Sequence, residues 1–376
     1  MTLKVFECFA GIGSQRMALR NINADFEIVG ISEVDKWALL GYDAIHNNEN
    51  HNFSYPSKEE MLKEFENKHI GYNFSTGKNE IPKKIEDIKK LYKAHIESKN
   101  FGDICLINEK NLPDFDLFTY SFPCKNISVA GQQEGMEENS GTQSSLVWEC
   151  KRIIKEKKPI FLLMENVKNI VGKNHKDFFN KWCKSLEDIG YVNYWSILNG
   201  KNFKVPQNRE RVIMISIRND ENIKFKMPQG SICNIRVEDI LENNVDEKYY
   251  YKDEEVCLNE NFHSIISNTK ENKLIQIGML NKKGNESNRR LYSVKGLCPT
   301  INSMNGGGRQ PKFVENNFKV RKATELECWR LMGFTDDDFY KAKNIGKLPS
   351  SKLYERAGRG IVVPMLEEIF KTLLKE

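Results

Sequence analysis

The 376-residue sequence predicts an α/β fold, in which a Rossmann-like sheet flanked by helices is followed by a smaller, irregular second domain. Short apolar runs alternate with helix-compatible stretches, and several of the runs stop at a glycine, a proline or a carboxylate. Such alternation is typical of buried parallel strands joined by helices. The second domain is predicted because this alternation is lost from Asn219 to about Phe318, where Asn, Lys, Ser and Gly dominate.

The composition argues against several classes of protein. No apolar run approaches the roughly 20 residues that a membrane-spanning helix needs. The nine cysteines include no CxxC pair and no histidine at ligand spacing, so we expect neither a disulfide framework nor a metal site. The chain enters a strand pattern at once, without a signal peptide, and a cytoplasmic protein is therefore expected. The net charge of +5 is compatible with nucleic acid binding and supports it only weakly.

The first motif is a strand pattern over residues 3–9 that runs into a turn containing Gly11 and Gly13. A helix is predicted over residues 15–22, with Ser14 as its cap. Strand, glycine turn and helix open a nucleotide-binding βαβ unit, although the third glycine of the dinucleotide fingerprint is missing.

An acid follows the second predicted strand, which covers residues 26–32. Glu33 lies 20 residues after Gly13, where a carboxylate is placed to accept hydrogen bonds from a ribose. NAD and S-adenosylmethionine both carry a ribose, so Glu33 does not distinguish between them. The alternative is an acid that favours the N-terminus of the next helix together with Asp35.

The central strand is predicted over residues 115–122 and is ended by Pro123. In open α/β sheets, ligands bind outside the carboxyl ends of the strands, so Cys124 is placed where a nucleophile belongs. The loop over residues 125–141 is polar and contains glycine, and we expect it to move. The alternative interpretation of Cys124 is a buried free thiol.

Two further acids follow predicted strands or open them. Glu165 comes after a strand over residues 159–164, close in the sheet to Cys124, and apolar surroundings would raise its pKa. Asp103 opens a short predicted strand over residues 104–107 and suits an adenine amino group. The alternatives are a helix-capping acid and a loop aspartate.

Two arginines enter the predicted strand over residues 212–217. Arg209 and Arg211 are two residues apart, which in a strand directs both side chains to one face. Together they could hold phosphates or a base carbonyl. The alternative is a surface cluster of ion pairs with Glu210.

The predicted domains are a catalytic domain over residues 1–220, a second domain over 221–319, and a return to the first domain over 320–376. Within the first, residues 47–100 read as a charged insertion of helices and loops. Residues 364–374 are predicted to form a final helix with proline in its first turn.

The order of these segments resembles the C5-cytosine DNA methyltransferase family along nearly the whole chain. The matching segments are FECFAGIGS (6–14), SFPCKNIS (121–128), LLMENVKNI (162–170), VPQNRERV (205–212), RKATELECWRLMGF (321–334) and AGRGIVVPMLEEIF (357–370).

The resemblance implies a sequence-specific DNA (cytosine-5-)-methyltransferase with a methyltransferase sheet and a target-recognition domain. It implies S-adenosyl-L-methionine as cofactor, S-adenosylhomocysteine as product, and no metal. Double-stranded DNA is the expected partner of a monomer, with a cognate restriction endonuclease acting separately, in a bacterium or encoded by a phage in a bacterial host.

The family's site residues carry over to positions in this chain. The implied catalytic residues are Cys124 as nucleophile, Glu165 at the cytosine N3 and amino edge, and Arg209 and Arg211 at the active-site loop and the base carbonyl. The implied cofactor contacts are Phe9, Gly11, Ile12, Gly13, Glu33, Val34, Asp103, Ile104, Ser121 and Pro123. The implied DNA contacts are Ser128, Arg209, Arg289, Arg290 and Thr300, with Arg290 reading a guanine.

Five residues depart from the family's pattern, namely Lys125, Gln143, Glu325, Arg359 and Gly360. Three alternatives also stay open. One is an RNA cytosine methyltransferase of the same fold. Another is a nicotinamide-dependent oxidoreductase, which the glycine turn and Glu33 favour. The last is a catalytically inactive DNA-binding module, which the retained Cys124 and Glu165 oppose.

Overall fold

The structure is a computed structural model that describes residues 2–47, 52–73, 77–123, 143–268, 272–304 and 306–375. The predicted nucleophile Cys124, with Lys125, Ser128 and the rest of the loop over residues 125–141, lies outside the described residues.

The strands of the described residues are β1 (Leu3–Cys8), β2 (Phe26–Ser32), β3 (Tyr72–Asn73), β4 (Lys78–Asn79), β5 (Leu117–Tyr120), β6 (Phe161–Val167), β7 (Tyr191–Asn199), β8 (Gln207–Asn208), β9 (Glu210–Arg218), β10 (Val256–Leu258), β11 (Gln276–Leu280), β12 (Arg290–Ser293), β13 (Cys298–Pro299), β14 (Lys312–Val314) and β15 (Val320–Lys322).

The helices are α1 (Ser14–Asn21), α2 (Lys36–His46), α3 (Lys58–Asn67), α4 (Ile85–Glu97), α5 (Val147–Lys157), α6 (Lys176–Glu187), α7 (Phe262–Asn268), α8 (Glu325–Arg330), α9 (Asp336–Tyr340), α10 (Ser350–Arg359) and α11 (Val363–Leu373). Within the part of the chain that the structure describes, no helix has both the length and the apolar character needed to cross a membrane.

A six-stranded sheet of order β2-β1-β5-β6-β9-β7 forms the centre of the molecule, as the α/β prediction required. The strands β2, β1, β5 and β6 run parallel, whereas β9 is antiparallel to both of its neighbours. On one face of the sheet, Val5, Leu117 and Leu163 belong to the same hydrophobic cluster as the buried residues of α1, α2 and α11. The other face packs through Phe6 and Phe118 in the cluster that holds those of α5 and α6.

The register of the parallel strands aligns their carboxyl ends. Cys8 pairs with Ser32 on one side and with Tyr120 on the other, and Tyr120 pairs with Met164. The residues that follow these positions therefore lie along one edge of the sheet. Glu165 is one of them, but β6 continues to Val167, so Glu165 lies inside the strand and not after it as predicted.

Two local predictions near the glycine turn are wrong. Ser14 does not cap α1: the N-cap is Gly13, and the Ser14 hydroxyl oxygen accepts a hydrogen bond from Ile361 N at 3.2 Å. Ile104–Leu106 is a 3₁₀ turn and not a strand. The side chain of Asp103 accepts from Cys105 N at 3.0 Å, which favours a turn over an extended chain.

The segment over residues 47–100 contains the predicted helices, α3 and α4, but their inner faces are part of the main core. Met61, Phe65, Ile88 and Leu91 are buried in the same cluster as α2. The charged residues of this segment lie on the outer faces of amphipathic helices, which is the usual place for such runs.

The second unit is more regular than predicted. It contains a sheet of order β10-β11-β12-β14-β15, in which the neighbours are antiparallel except for β12 and β14. A small core of Ile275, Ile277, Leu291 and Val320 lies against it. Strands of three to five residues separated by polar loops carry too little periodicity to be recognised in a sequence. The fifth strand, β15, lies directly after the predicted boundary at residue 319.

A buried ion pair joins this second sheet to the returning helices. Arg321 on β15 donates to both carboxylate oxygens of Glu327 on α8, at 2.8 and 2.7 Å, and both side chains are fully buried. Glu327 also accepts from Thr324 N, at the start of its own helix, and from Glu242 N. The pair therefore links β15, α8 and the segment that precedes the second sheet.

Removing one member of this pair is expected to destabilise the protein strongly. Arg321→Met leaves the Glu327 carboxylate buried without its cation, which should lower the free energy of unfolding by about 3–5 kcal/mol. Lys184→Met is the matched control, because Lys184 pairs with Asp188 at 3.0 Å on the exposed surface of α6 and should change stability by less than about 1 kcal/mol. Urea unfolding measures both, and equal losses would contradict the interpretation.

Candidate active site

The glycine turn after β1 is the first component of the site. Phe9, Gly11 and Gly13 all have positive φ, at 56°, 59° and 77°. A Cβ on Gly13 would lie 2.4 Å from His46 Nε2, so this position needs glycine both for its conformation and for space. By contrast, a Cβ on Gly11 would meet only Phe9 O at 4.0 Å. The turn therefore presents open backbone at the sheet edge.

Glu33 ties this turn to the end of β2. One of its carboxylate oxygens accepts from Gly11 N at 2.9 Å, and the other accepts from Val34 N and Asp35 N at 2.8 Å each. Burial, and next the charge of Asp35, raise the pKa of Glu33. The predicted ribose acid is thus fixed in orientation by three backbone amides.

Several buried polar groups beside the glycine turn were not predicted from the sequence. Glu7 is fully buried in β1 and accepts from Tyr42 Oη at 2.6 Å and from Arg16 N at 3.0 Å. Burial raises the pKa of Glu7. Burial also lowers the pKa of His46 well below its usual value, so its ring is neutral and Nε2 donates to Ile12 O at 3.1 Å. The alternation of β1 marks Glu7 only as another strand residue, and neither partner is near it in sequence.

Asp103 occupies the next position along the edge. Its side chain is 6% exposed, and Oδ2 lies 2.7 Å from His69 Nδ1. Asn100 joins this segment to Glu33, since its amide donates to Glu33 O at 2.9 Å and its oxygen accepts from Glu33 N at 3.0 Å. Asn100 and His69 were also missed, because their importance arises only from contacts between distant segments.

Glu165 is at the centre of the site. Arg211 Nε lies 3.0 Å from one carboxylate oxygen, and the Ser121 hydroxyl donates to the other. The side chains of Glu165 and Arg211 are 8% and 14% exposed. The predicted cofactor contact Ser121 thus has its hydroxyl directed at Glu165.

The chain is also held up to the residue before Cys124. Asn166 Nδ2 donates to Phe122 O at 3.2 Å, and the Ser144 hydroxyl donates to Pro123 O at 3.0 Å. The backbone that leads into Cys124 is therefore attached to β6 and to the start of the segment before α5. Cys124 itself lies beyond the described part.

Arg209 does not accompany Arg211, so the prediction that both face one side is wrong. Arg209 is 2% exposed. It donates to Ile301 O at 2.7 Å and to Gly358 O and Gly360 O at 3.0 Å each. The two-residue periodicity fails because β9 begins at Glu210, one residue after Arg209. Its buried position also argues against the predicted DNA contact.

Gln207 acts beside Arg209. Its side chain accepts from Ile301 N at 3.0 Å and donates to Leu331 O at 2.8 Å. Its backbone pairs with Cys298 through the parallel strands β8 and β13. Gln207 and Arg209 therefore connect the second unit to the returning helices.

Three of the predicted DNA contacts, Arg289, Arg290 and Thr300, belong to the second unit. Arg290 begins β12, is 39% exposed and pairs with Glu286 at 3.0 Å, while Arg289 donates to Lys282 O at 3.0 Å. Thr300 is exposed, and its hydroxyl donates to Asn208 O at 2.6 Å.

The closing motif contributes charge near Glu33. Arg356 pairs with Asp35 at 3.0 Å, and Arg359, which departs from the family's pattern, pairs with Glu355 at 2.6 Å. Although burial opposes it, Arg356 and then Arg359 lower the pKa of Asp35 to about 2. Among the described residues, no three His, Cys, Asp or Glu side chains are grouped so as to hold a metal ion.

Comparison with known proteins gives three findings. The profile of the family described as C-5 cytosine-specific DNA methylase matches residues 65–375. The type II methyltransferase M2.ScrFI of Lactococcus lactis subsp. cremoris is 44% identical over 381 residues, which cover 99% of each chain. The orphan methyltransferase M.SssI of Spiroplasma monobiae is 33% identical, over 98% of this chain and 96% of that protein.

The fold is also found among solved structures. The crystal structure of the S. pombe Dnmt2 methyltransferase superposes with a TM-score of 0.64, at 16% identity, over 99% of this chain and 98% of that one. This likeness concerns the fold alone.

Gly358 gives a test of the joint formed by Gln207 and Arg209. A Cβ on Gly358 would lie 1.8 Å from Asn302 O, so Gly358→Ala should separate these segments and lower the free energy of unfolding by at least about 2 kcal/mol. Gly360→Ala is the control, because its Cβ would meet nothing closer than 3.4 Å. Thermal unfolding compares the two, and a Gly358→Ala protein as stable as the control would refute the close packing.

Proposed function

The chain belongs to the C-5 cytosine-specific DNA methylase family, whose members use S-adenosyl-L-methionine, and from this premise we propose a specific mechanism and biological role. The protein methylates C5 of a cytosine within one DNA sequence, as the modification enzyme of a restriction-modification system. The observation that carries the mechanism is the convergence of Ser121 and Arg211 on Glu165, beside the backbone that leads into Cys124.

The cofactor fits the edge formed by the glycine turn, Glu33 and Asp103. The open backbone at Gly11 allows a ligand to approach closely, and the two acids lie at neighbouring positions joined by Asn100. Phe9, Ile12, Gly13, Val34, Ile104 and Pro123 complete the proposed contacts. When bound there, S-adenosyl-L-methionine supplies an electrophilic methyl group. No metal is part of the proposal.

Cytosine C5 is a poor nucleophile, and Cys124 is proposed to activate it. A thiolate added at C6 makes C5 resemble an enamine carbon, and cysteine suits this step because its thiolate is accessible near neutral pH. The hydrogen bonds at Phe122 O and Pro123 O hold the two residues that precede Cys124 in the sequence. After methylation, the C5 proton leaves and the thiol is eliminated.

Glu165 and Arg211 are proposed to stabilise the charge that develops during thiol addition. Negative charge builds on N3 and O2 of the ring, where Glu165 is proposed to act as the acid at N3 and Arg211 lies near O2. The contact between Arg211 and Glu165 orients the Glu165 side chain before the substrate arrives. Ser121 then acts as a positioning residue for Glu165. Arg209 is proposed only to brace the strand that begins beside Arg211.

DNA is proposed to lie across the cleft between the main sheet and the second unit. A stacked cytosine does not expose C6 to the thiol, so the base must leave the helix, at an expense of a few kcal/mol that the pocket recovers. The loop over residues 125–141 is proposed to close over the flipped base. Arg289, Arg290 and Thr300 are the proposed contacts to the duplex, and lysines neutralise phosphates.

The biological role follows from the relatives. One full-length relative is named a type II methyltransferase and others are named orphan methyltransferases. Because the type II enzyme has the higher identity of these two, we place this protein in a bacterial or phage-encoded modification system. It would act as a monomer, with a separate endonuclease that cuts the same sequence.

Loss of the thiol tests the proposed chemistry directly. The wild-type protein should place 5-methylcytosine in unmethylated plasmid DNA, and Cys124→Ala should abolish this product because C5 is no longer activated. Cys257→Ala, an exposed cysteine on β10, is the control and should retain full activity. Bisulfite sequencing identifies the product and its sequence context. Full activity of Cys124→Ala, or no product from the wild type, would refute the proposal.

Loss of the proposed acid tests the role of Glu165. Glu165→Gln keeps the shape of the side chain but removes the proton donor, so kcat should fall by about 10²–10⁴. The control is Glu210→Gln, since Glu210 pairs with Lys168 on the surface one strand away and should change kcat by less than about twofold. The kcat of each variant is measured by transfer of a labelled methyl group to a duplex that carries the site identified by bisulfite sequencing, called the mapped duplex. An unchanged kcat in Glu165→Gln would exclude this role.

A further inference from the structure

Lys312, at the start of β14, is a buried cation held by backbone carbonyls. Lys312 is only 2% exposed to solvent. Burial lowers the pKa of Lys312, and the positive charges of Lys282 and Lys322 act in the same direction. Together they lower this pKa to about 8. Buried charges are normally paired with an opposite charge. Among the residues that the structure describes, the hydrogen-bond partners of Lys312 are backbone carbonyls and not carboxylates, so Lys312 is a candidate for a function that compensates for its burial.

The ammonium group of Lys312 holds the loop over residues 306–310. It donates to Gly308 O and, at 2.7 Å, to Gln310 O. Gly306, Gly307 and Gly308 are exposed and all have positive φ, at 74°, 67° and 63°. A Cβ on Gly306 or Gly308 would meet no atom within 4 Å, so the protein itself does not crowd this loop. Three successive glycines lose much conformational entropy when ordered, and the shape of the loop therefore depends on its anchors.

The loop lies beside the turn that carries the proposed DNA contacts. Asn288, just before Arg289 and Arg290, donates weakly to Gly307 O at 3.4 Å. The exposed Arg309 adds a positive charge, and its Nε would lie 3.8 Å from a Cβ on Gly307. The two loops together form an exposed, cationic surface whose backbone a polyanion can approach closely.

On the premise of the proposed function, we propose that Lys312 is a positioning residue for DNA recognition. Its ammonium group holds the loop over residues 306–310 in the conformation that meets the duplex. The loop is then ordered before DNA arrives, and less entropy is lost on binding. An ordered loop can distinguish one DNA sequence from another. A mobile loop would contact every DNA sequence equally poorly and would not discriminate between them.

Three variants separate this role from a general loss of charge or of stability. Lys312→Met keeps the volume but has no donor, and Lys312→Gln keeps a neutral donor that can still bond one carbonyl. Lys319→Met is the control, because Lys319 is an exposed lysine of the same sheet unit, over the Tyr250 ring at 5.5 Å. The substrates are duplexes that carry the site methylated by the wild type in plasmid DNA, and duplexes with one base pair of that site changed.

For Lys312→Met, KM for the mapped duplex should rise about tenfold with kcat within about twofold, the pattern of lost uniform binding. The preference for the mapped site over the changed sites should fall by about fivefold or more. Lys312→Gln should recover part of both losses, and Lys319→Met should leave the preference unchanged. The Tm of Lys312→Met should stay the same or rise, because a buried charge is replaced by an apolar side chain of similar size.

Two results would overturn the proposal. Unchanged KM and unchanged site preference in Lys312→Met would show that the anchor is not needed. A lowered Tm, with kcat reduced alike on every duplex, would assign Lys312 a merely structural role. Fluorescence anisotropy of duplex binding, measured on the same variants, tests Lys312 independently of methyl transfer. If the wild type forms no 5-methylcytosine, the proposed function fails, and equal duplex affinity of the wild type and Lys312→Met separately decides against this inference.

Discussion

The register of four neighbouring parallel strands brings Phe9, Glu33, Ser121 and Glu165 to one edge of the main sheet. Backbone pairing sets this alignment, so no side chain at the edge has to hold its own strand in place. The side chains are free to bond across the ends of the strands instead. Glu33 bonds the glycine turn and Glu165 bonds Ser121. Each acid is thereby oriented by groups from a neighbouring strand, as a preorganised site requires.

The antiparallel strand β9 adds the cation that this edge needs. It pairs with β6 so that Val167 lies opposite Arg211, which brings the guanidinium to Glu165. The segment just before β9 turns away and buries Gln207 and Arg209 between the second unit and the returning helices. One short stretch of chain therefore supplies both a residue of the site and the brace that joins the two units. This is possible because β9 begins at Glu210, so Arg209 lies outside the strand that carries Arg211.

Buried polar groups recur where segments distant in sequence must meet. Glu7 joins β1 to Tyr42 and to the start of α1, and Arg321 joins the second sheet to α8. Each of these is satisfied by several hydrogen bonds, as groups removed from water require. Lys312 differs, since its partners are carbonyls of an exposed loop and not a carboxylate. The other networks explain how the fold is held together, whereas Lys312 holds a loop beside the proposed DNA contacts.

The sequence by itself determined the α/β architecture, the glycine turn, the acids at positions 33 and 165, and the family, because these depend on local patterns and on the order of motifs. The final helix, predicted over residues 364–374, is found as Val363–Leu373 for the same reason. Only the tertiary structure decided that Arg209 turns inward, that Ser121 bonds Glu165, and that Asp103 begins a 3₁₀ turn. It also decided the contacts of Glu7, Asn100 and Lys312. Most of these side chains bind partners from segments tens to hundreds of residues away, and the partners of the others depend on the path of a nearby loop. Periodicity along the chain contains no information on either.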